Sequence, residues 1–409
     1  MPALDGMRIL DMTQFEAGTC CTQSLAFLGA DVVKIERPNF GDPGRGRSAG
    51  NSIDREYFIN WNSNKRSVTI NLQDPAGREL LLKMLPNYDV FVENYGPGVM
   101  EKLNLGYEVM SEINPQLIYA RIKGFGTTGP HAHYKCMDMV AQAAAGAFSI
   151  TGNPDGPPMR PGPTTGDAGT GMQAALAITA AYAQRLRTNR GQSIELSMQE
   201  AMTYYLRTAV SSTGFGARPT LRSGNGSNPF MALYPCAPGG ANDYIFIMAV
   251  NQRMWDGVCQ TIEKPDLFAR PEYETPRQRH VNASGLYNEI AEWTKTKTKR
   301  ECMSLFAEAG VCASAVYQTN ELFSDPHLQE RGFIKEIDHR DYGNVRILGW
   351  PSRMSESKVE PVAAPLLGGH NDEVLMTDLG ISRSELGRLR DKGVIGGEEV
   401  DRLEAKAAG

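Results

Sequence analysis

The sequence is poor in the features that announce metal centres, disulfide frameworks and membrane spans. Its seven cysteines (Cys20, Cys21, Cys136, Cys236, Cys259, Cys302 and Cys312) include no C-x-x-C pair, and its six histidines are scattered. A metal site and a disulfide framework are both disfavoured; reduced, mostly buried thiols in a cytoplasmic protein are expected. No run approaches the roughly 18–20 apolar residues that a bilayer span needs, so no membrane association is expected. The opening MPALDGMRILDM has neither a basic start nor a long apolar core, so a secretory signal is not expected. Positive charge is not in excess either: 42 Lys and Arg stand against 47 Asp and Glu, for a net charge of −5. A general nucleic-acid binder usually carries a basic excess, so nucleic acid is not expected as a partner. What is present is ordinary for a globular chain: 409 residues, 41% hydrophobic and 22% charged, room for two or three domains with a sizeable core.

The N-terminal part reads as strand, helix, strand. An apolar run from Met7 to Met12 ends in Thr13 and Gln14. A helical stretch follows Ala17 and stops at Gly29–Ala30, and DVVKIE at 31–36 is a second strand. This βαβ order predicts a parallel sheet. Further strands are expected over 67–72, 88–92, 117–122 and 192–198, with a helix starting at Asp74–Pro75. A long Ala-rich helix spans 168–187 and is stopped by TNRG. The Gly-, Ser-, Asn- and Pro-rich stretch 213–230 reads as a linker or long loop. Beyond it come a strand at 244–250 and helices at 252–263, 284–295 and 298–309, a smaller α+β region. Strand patterns return within 326–360, and the tail 371–407 is helical and charged.

A strand–turn–helix with an acid closing the second strand invites a dinucleotide reading. The turn Thr13–Thr19 holds one glycine where the fingerprint needs three, and Glu16 puts a carboxylate where a pyrophosphate would sit. No P-loop pattern occurs.

The stretch that carries chemistry is Gly166–Asp167–Ala168–Gly169–Thr170–Gly171, between a Pro-rich loop and the long helix. Asp at a helix start is most simply an N-cap. The same position suits a nucleophile: the helix dipole holds the carboxylate ionised, and flanking glycines leave room for a bulky ligand. Nearby amides could stabilise a developing oxyanion.

At these residues the chain resembles the class III coenzyme A transferases, the family of formyl-CoA transferase and the carnitine CoA-transferases. The landmarks are LDGMRILDMT (4–13), LGADVVKIERP (28–38), YFINWNSNKRSVTINL (57–72), VENYGPGVMEKLNLGY (92–107), KGFGTTGP (123–130), GDAGTGM (166–172), RGQSIELSMQEA (190–201), DPHLQERGF (325–333) and APLLGGH (364–370). Their order over nearly the whole chain carries the resemblance.

The resemblance implies an α/β fold with a Rossmann-like large domain, a smaller α+β domain and an interlocked dimer. The large domain would be built from residues 1–205 and completed by 330–409, with the small domain over 225–325. It implies a CoA-transferase in which Asp167 attacks a donor thioester, forming first a mixed anhydride and then an aspartyl-CoA thioester. Coenzyme A is then a substrate, and no permanently bound cofactor or metal is needed. Coenzyme A contacts carry over to Ala17, Arg37, Ile70, Asn71, Leu72, Gln73, Asn94, Tyr95, Gly96, Lys102, Tyr134, Lys135, Cys136 and Met137. Lys102 stands where formyl-CoA transferase has an arginine.

Three departures point away from a formyl-CoA:oxalate pair. Glu16 replaces a glutamine that orients acyl intermediates, Ala237–Gly240 is all that answers to a glycine lid, and the oxalate-associated tryptophan is replaced around Arg45–Arg47. Arg45 and Arg47 are expected to read a second carboxylate on the acceptor, with succinyl-CoA or a similar thioester as donor. The resemblance extends to α-methylacyl-CoA racemases, but their histidine position holds Met137, which leaves racemisation the lesser reading. A partner subunit of related sequence is the other alternative to a homodimer.

Overall fold

The computed structural model describes residues 1–46, 54–226 and 228–397. It divides into two compact units. One contains Met1–Ala147, Pro161–Gly216 and the described residues from Arg331 onward; the other contains Phe148–Arg160 and Ala217–Glu330.

The first unit is built on a six-stranded parallel sheet. Its strands are β1 (Arg8–Met12), β2 (Asp31–Glu36), β3 (Lys65–Thr69), β4 (Val90–Glu93), β5 (Ile118–Lys123) and β6 (Gln192–Ser197). They lie in the order β3-β2-β1-β4-β5-β6, so the progression reverses between β1 and β4. In open α/β sheets the crevice at the carboxyl ends beside such a reversal is where ligands bind. Alternate residues bury on opposite faces: Leu10, Met12, Val33, Ile35 and Phe91 on one, Ile9, Val32, Val90 and Val92 on the other. Burial on both faces is why these strands read as short continuous apolar runs.

Two helices frame the site. Helix Ala17–Phe27 packs on helix Ala168–Thr188. A Cβ at Gly171 would stand 2.4 Å from the Ala17 carbonyl oxygen and 2.9 Å from Cys20 Cβ, so only glycine lets the two helices meet this closely. The long helix ends as TNRG predicts, with Asn189 left-handed at φ 53° and its N–H bonded to the Arg185 carbonyl. Asp74 caps helix Pro75–Met84 by accepting from the Ala76 N–H. The hairpin of β10 (Ile334–His339) and β11 (Gly343–Leu348) also belongs to this unit.

The second unit has a three-stranded antiparallel sheet of β7 (Met231–Pro235), β8 (Tyr244–Met248) and β9 (Cys312–Ala315). Helices Gln252–Thr261, Ala283–Thr294 and Lys299–Glu308 belong to it, with Trp255, Leu286, Ile290 and Phe306 in its core. Residues 148–160, expected with the N-terminal part, belong here. Arg222 holds them through the backbone carbonyls of Ser149, Asn153 and Gly156. The expected helical tail is two helices, Asn371–Leu379 and Arg383–Asp391; residues beyond 397 lie outside the described part. No helix among the described residues is long and apolar enough to cross a membrane.

Candidate active site

The loop after β1 is fastened from several sides. The Asn94 side chain accepts from the Gln14 N–H and donates to the Gln14 carbonyl, both over 2.8 Å. Lys34, fully buried, donates to the Thr13 carbonyl at 2.8 Å and pairs with Asp42 at 2.9 Å; Asp42 in turn accepts from the Phe15 N–H. Lys65, also buried, pairs with Asp11 and donates to the Thr19 carbonyl. These clamps hold Phe15 left-handed at φ 58°, a conformation that costs a bulky residue about 1–3 kcal/mol and persists only where the surroundings impose it. The next residue is Glu16, 4% exposed at the start of helix Ala17–Phe27.

Glu16 meets the segment that precedes the second helix. Thr164 donates a short hydrogen bond to Glu16 Oε1, and the Tyr57 hydroxyl donates to Oε2 at 3.3 Å. Three residues beyond Thr164, Asp167 opens helix Ala168–Thr188. Its N–H donates to Asp138 Oδ1 at 3.0 Å, while Gln142 Nε2 donates to Asp138 Oδ2 at 2.8 Å and to the Pro163 carbonyl at 3.1 Å.

The plain cap expected of Asp167 is absent: its side chain makes no capping hydrogen bond. The glycines around it serve packing, not ligand access. A Cβ at Gly166 would stand 2.6 Å from the Asp138 carbonyl oxygen, and one at Gly169 2.8 Å from the Tyr205 ring. Nor does the helix dipole dominate the charge state. Burial first, then Glu16 and Asp138, push the Asp167 carboxyl up to about 7. Burial, with Asp138 adding to it, also raises Glu16 against the two hydroxyl donors. Cys20 and Cys136 are both pushed up to about 11, chiefly by burial and further by nearby carboxylates, Glu16 ahead of Asp167 for Cys20 and Asp167 for Cys136, so they stay thiols at neutral pH. Asp167 itself is half-buried.

A cavity of about 600 Å³ opens at the carboxyl ends of β2, β3 and β4. Of the residues expected to contact coenzyme A, Arg37, Ile70, Asn71, Leu72, Gln73, Tyr95 and Lys102 line it together. The Arg37 guanidinium lies over the Phe40 ring, 4.7 Å from its centroid. Gln14 lines the same cavity and donates to the Tyr95 hydroxyl at 2.7 Å, two residues from Glu16.

Other expected contacts lie elsewhere. Asn94 is occupied by the Gln14 backbone, Ala17 is buried at the helix start, and Gly96 is not among the lining residues. Tyr134 is exposed in a cluster with Phe125, His131 and His133. Lys135 and Met137 are exposed, and Cys136 packs on Gly124. This segment leads directly into Asp138.

Arg45 does not fit the role of acceptor reader. It is fully buried, bonded to both oxygens of Glu36 at 2.7 Å and to Asp54, with its guanidinium 3.7 Å from the Phe58 centroid. Its donors are satisfied within the fold. Arg47 lies outside the described residues. The residues missed in the sequence are Tyr57, Thr164, Asp138 and Gln142. Tyr57 and Asp138 stand within or beside resemblance segments, but nothing in the sequence alone shows that their polar atoms converge.

The family model described as CoA-transferase family III matches residues 4–371. A formyl-CoA:oxalate CoA-transferase of Streptomyces coelicolor is 38% identical over 411 residues, 96% of this chain and 99% of its own. Another, from Rhodopseudomonas palustris, is 36% identical over 414 residues, 96% of this chain and 97% of its own. The crystal structure of a CAIB/BAIF family protein from Brucella suis matches with a TM-score of 0.82 at 29% identity, over 92% of this chain and 99% of that one. With the family match spanning most of its length and relatives of this identity covering nearly all of it, the chain belongs to CoA-transferase family III.

Proposed function

We propose that the protein transfers coenzyme A from a donor thioester to an acceptor carboxylic acid through covalent intermediates on Asp167. The observation that supports this most is the Asp167 carboxyl itself: uncapped, half-buried and set beside Glu16. A partly desolvated carboxylate is a stronger nucleophile than one in water. One Asp167 oxygen attacks the thioester carbonyl, the carbon–sulfur bond breaks, and coenzyme A leaves as its thiolate. The thiolate attacks the aspartyl carbonyl of the resulting anhydride and expels the donor acid as its carboxylate. An acceptor carboxylate attacks the aspartyl-CoA thioester and frees the thiolate again. Attack of the thiolate on the acceptor's carbonyl then yields the new thioester and restores Asp167. No proton is gained or lost over the cycle.

Arg37 and Lys102 supply cations for the coenzyme's phosphates, and Ile70–Gln73 form a wall for its nucleotide. The expectation of succinyl-CoA rests on Arg45 and Arg47, and Arg45 is taken up by Glu36 and Asp54. Formyl-CoA, named in the relatives, therefore stands beside succinyl-CoA as a donor to assay. A dimer is part of the proposal. Tyr204, Val210 and Phe215, all exposed, line an open groove of about 940 Å³, apolar surface of the kind that a second chain covers.

The test is mass spectrometry after incubation with formyl-CoA or succinyl-CoA. A coenzyme A adduct, converted by hydroxylamine to a hydroxamate or by borohydride to an alcohol at Asp167 with release of coenzyme A, and missing in Asp167→Ala, is the expected result. No adduct from either donor, with α-proton exchange in deuterium oxide instead, would overturn the proposal in favour of racemisation.

A further inference from the structure

The second unit holds a pair of cysteines that the proposed chemistry does not use. Cys236 follows β7 and Cys302 lies in helix Lys299–Glu308, 66 positions apart in the chain, yet their sulfurs stand 3.9 Å apart, within hydrogen-bonding distance. Both are buried, Cys236 2% and Cys302 0% exposed. The backbone around them fixes the encounter. The Ala237 N–H donates to the Lys297 carbonyl at 2.8 Å, and the Thr294 hydroxyl donates to the Pro235 carbonyl at 2.7 Å, so the end of β7 is fastened on both sides of Cys236 to the junction of helices Ala283–Thr294 and Lys299–Glu308. Burial alone would leave such thiols inert. Two features set this pair apart. The hydrogen bond between the sulfurs moves the Cys236 thiol below its usual range and the Cys302 thiol above it, so one is the readier thiolate and the other stays protonated beside it. Cys236 also has a way out: β7 is an edge strand of its sheet, and Pro238–Gly240 just beyond are exposed. Opening a strand end beside an exposed turn costs less than unfolding the unit.

We infer that Cys236 and Cys302 form a dithiol site that hydrogen peroxide oxidises to a reversible disulfide. The inference does not depend on the covalent reading of Asp167. The Cys236 thiolate attacks one peroxide oxygen, the O–O bond breaks, and hydroxide leaves and takes up a proton, giving a sulfenic acid on Cys236. The Cys302 sulfur then attacks the Cys236 sulfur, the S–O bond breaks, and water leaves with the Cys302 proton. Two thiols and one peroxide become one disulfide and two waters, so the two electrons lost by sulfur are those gained by oxygen. Forming the bond asks each sulfur to move by roughly 1 Å. The product ties the strand end to helix Lys299–Glu308 covalently, along the contact that the reduced chain makes through Ala237 and Lys297. The burial of both sulfurs selects the oxidant: a molecule the size of water's dimer reaches them through the opened strand end, whereas a bulky disulfide is kept out.

The experiment treats the full-length protein with hydrogen peroxide, native and urea-unfolded, blocks the remaining thiols with an alkylating agent and maps the peptides by mass. The exposed Cys312 reports that the oxidant has acted. The expected result in the native sample is a peptide pair joined through Cys236 and Cys302, two hydrogens lighter than the separate peptides and parted again by dithiothreitol. Cys302→Ala removes the second thiol and is expected to leave a sulfenic acid on Cys236 that dimedone labels, while Cys236→Ala gives no label on Cys302. Free Cys236 and Cys302 thiols in a native protein whose Cys312 has reacted would overturn the inference without any variant being needed. So would a bond that forms only in the unfolded sample, or a sulfinic acid at either position that dithiothreitol does not reverse. A dimedone label on Cys302 in a folded Cys236→Ala protein would overturn the order of attack.

Discussion

The N–H of Asp167 donates to Asp138 Oδ1 across 3.0 Å, so the proposed nucleophile is positioned by a second carboxylate that also raises its pKa. Asp138→Asn separates the two effects. Its amide oxygen still accepts from Asp167, while the negative charge is lost. The expected outcome is an acid limb of the kcat/KM profile moved to lower pH, read by assaying transfer from pH 5 to 9. An unmoved limb would show that Asp138 acts through geometry alone.

The raised pKa has a thermodynamic cost. Asp167 is held near 7 in the fold and titrates near the ordinary carboxylate value when unfolded. Between these values the folded state holds the extra proton, so stability from this group is present at low pH and is lost as pH rises toward 7. Asp167→Asn removes the effect and is expected to stabilise the protein at pH 8 by on the order of a few kcal/mol, with little change at pH 4. Thermal melts at the two pH values test this.

Arg45 belongs to the fold's ionic interior. Arg45→Ala removes the guanidinium that pairs with buried Glu36 and Asp54 and is expected to cost about 3–5 kcal/mol, seen as a lower urea midpoint. A stable variant with altered acceptor preference would instead restore Arg45 as a reader of substrate.

The glycines of the GDAGTG segment should respond unequally. At Gly171 a methyl group meets backbone atoms of Ala17 and Cys21, which cannot move aside singly; Gly171→Ala is expected to cost about 1–3 kcal/mol. At Gly169 the obstacle is the half-exposed Tyr205 ring, which can rotate away, so Gly169→Ala should cost less. Denaturant unfolding of both variants makes the comparison.

Arg37 has the character of a binding residue. Arg37→Ala is expected to raise KM for the thioester roughly tenfold with kcat little changed, since a phosphate contact far from the reacting carbon is equal in ground and transition states. A fall in kcat at constant KM would contradict this assignment.

The parallel sheet was legible because its strands are buried on both faces and read as apolar runs bounded by turn residues. Asp74–Pro75 and Asn189 announced helix ends through chemistry that acts within a few residues. The charged interior was not legible. Lys34, Glu36 and Lys65 look like the polar positions of half-exposed strands, yet each is buried against a partner outside its own strand: Asp42 and Arg45 from the loop after β2, and Asp11 from β1. The same blindness made Arg45 look like a reader of the acceptor's carboxylate. At the site, Asp167 and much of the cavity lining were found through resemblance to a family, whereas Thr164, Tyr57 and Gln142 matter through side-chain directions that only the folded chain displays. The edge of the second unit was missed at residues 148–160 because Arg222 holds them through backbone carbonyls, which leave no trace in residue type.

The two thiols near Asp167 have a consequence for fidelity. An enzyme that handles thioesters near free cysteines risks a dead end, in which the acyl group migrates to a cysteine sulfur and is stranded there. That exchange needs a thiolate. Burial keeps Cys20 and Cys136 at about 11, so only a minute fraction of either is reactive at neutral pH. The burial that makes Asp167 reluctant to ionise therefore also keeps the neighbouring thiols protonated, and so guards a thioester's acyl group from them.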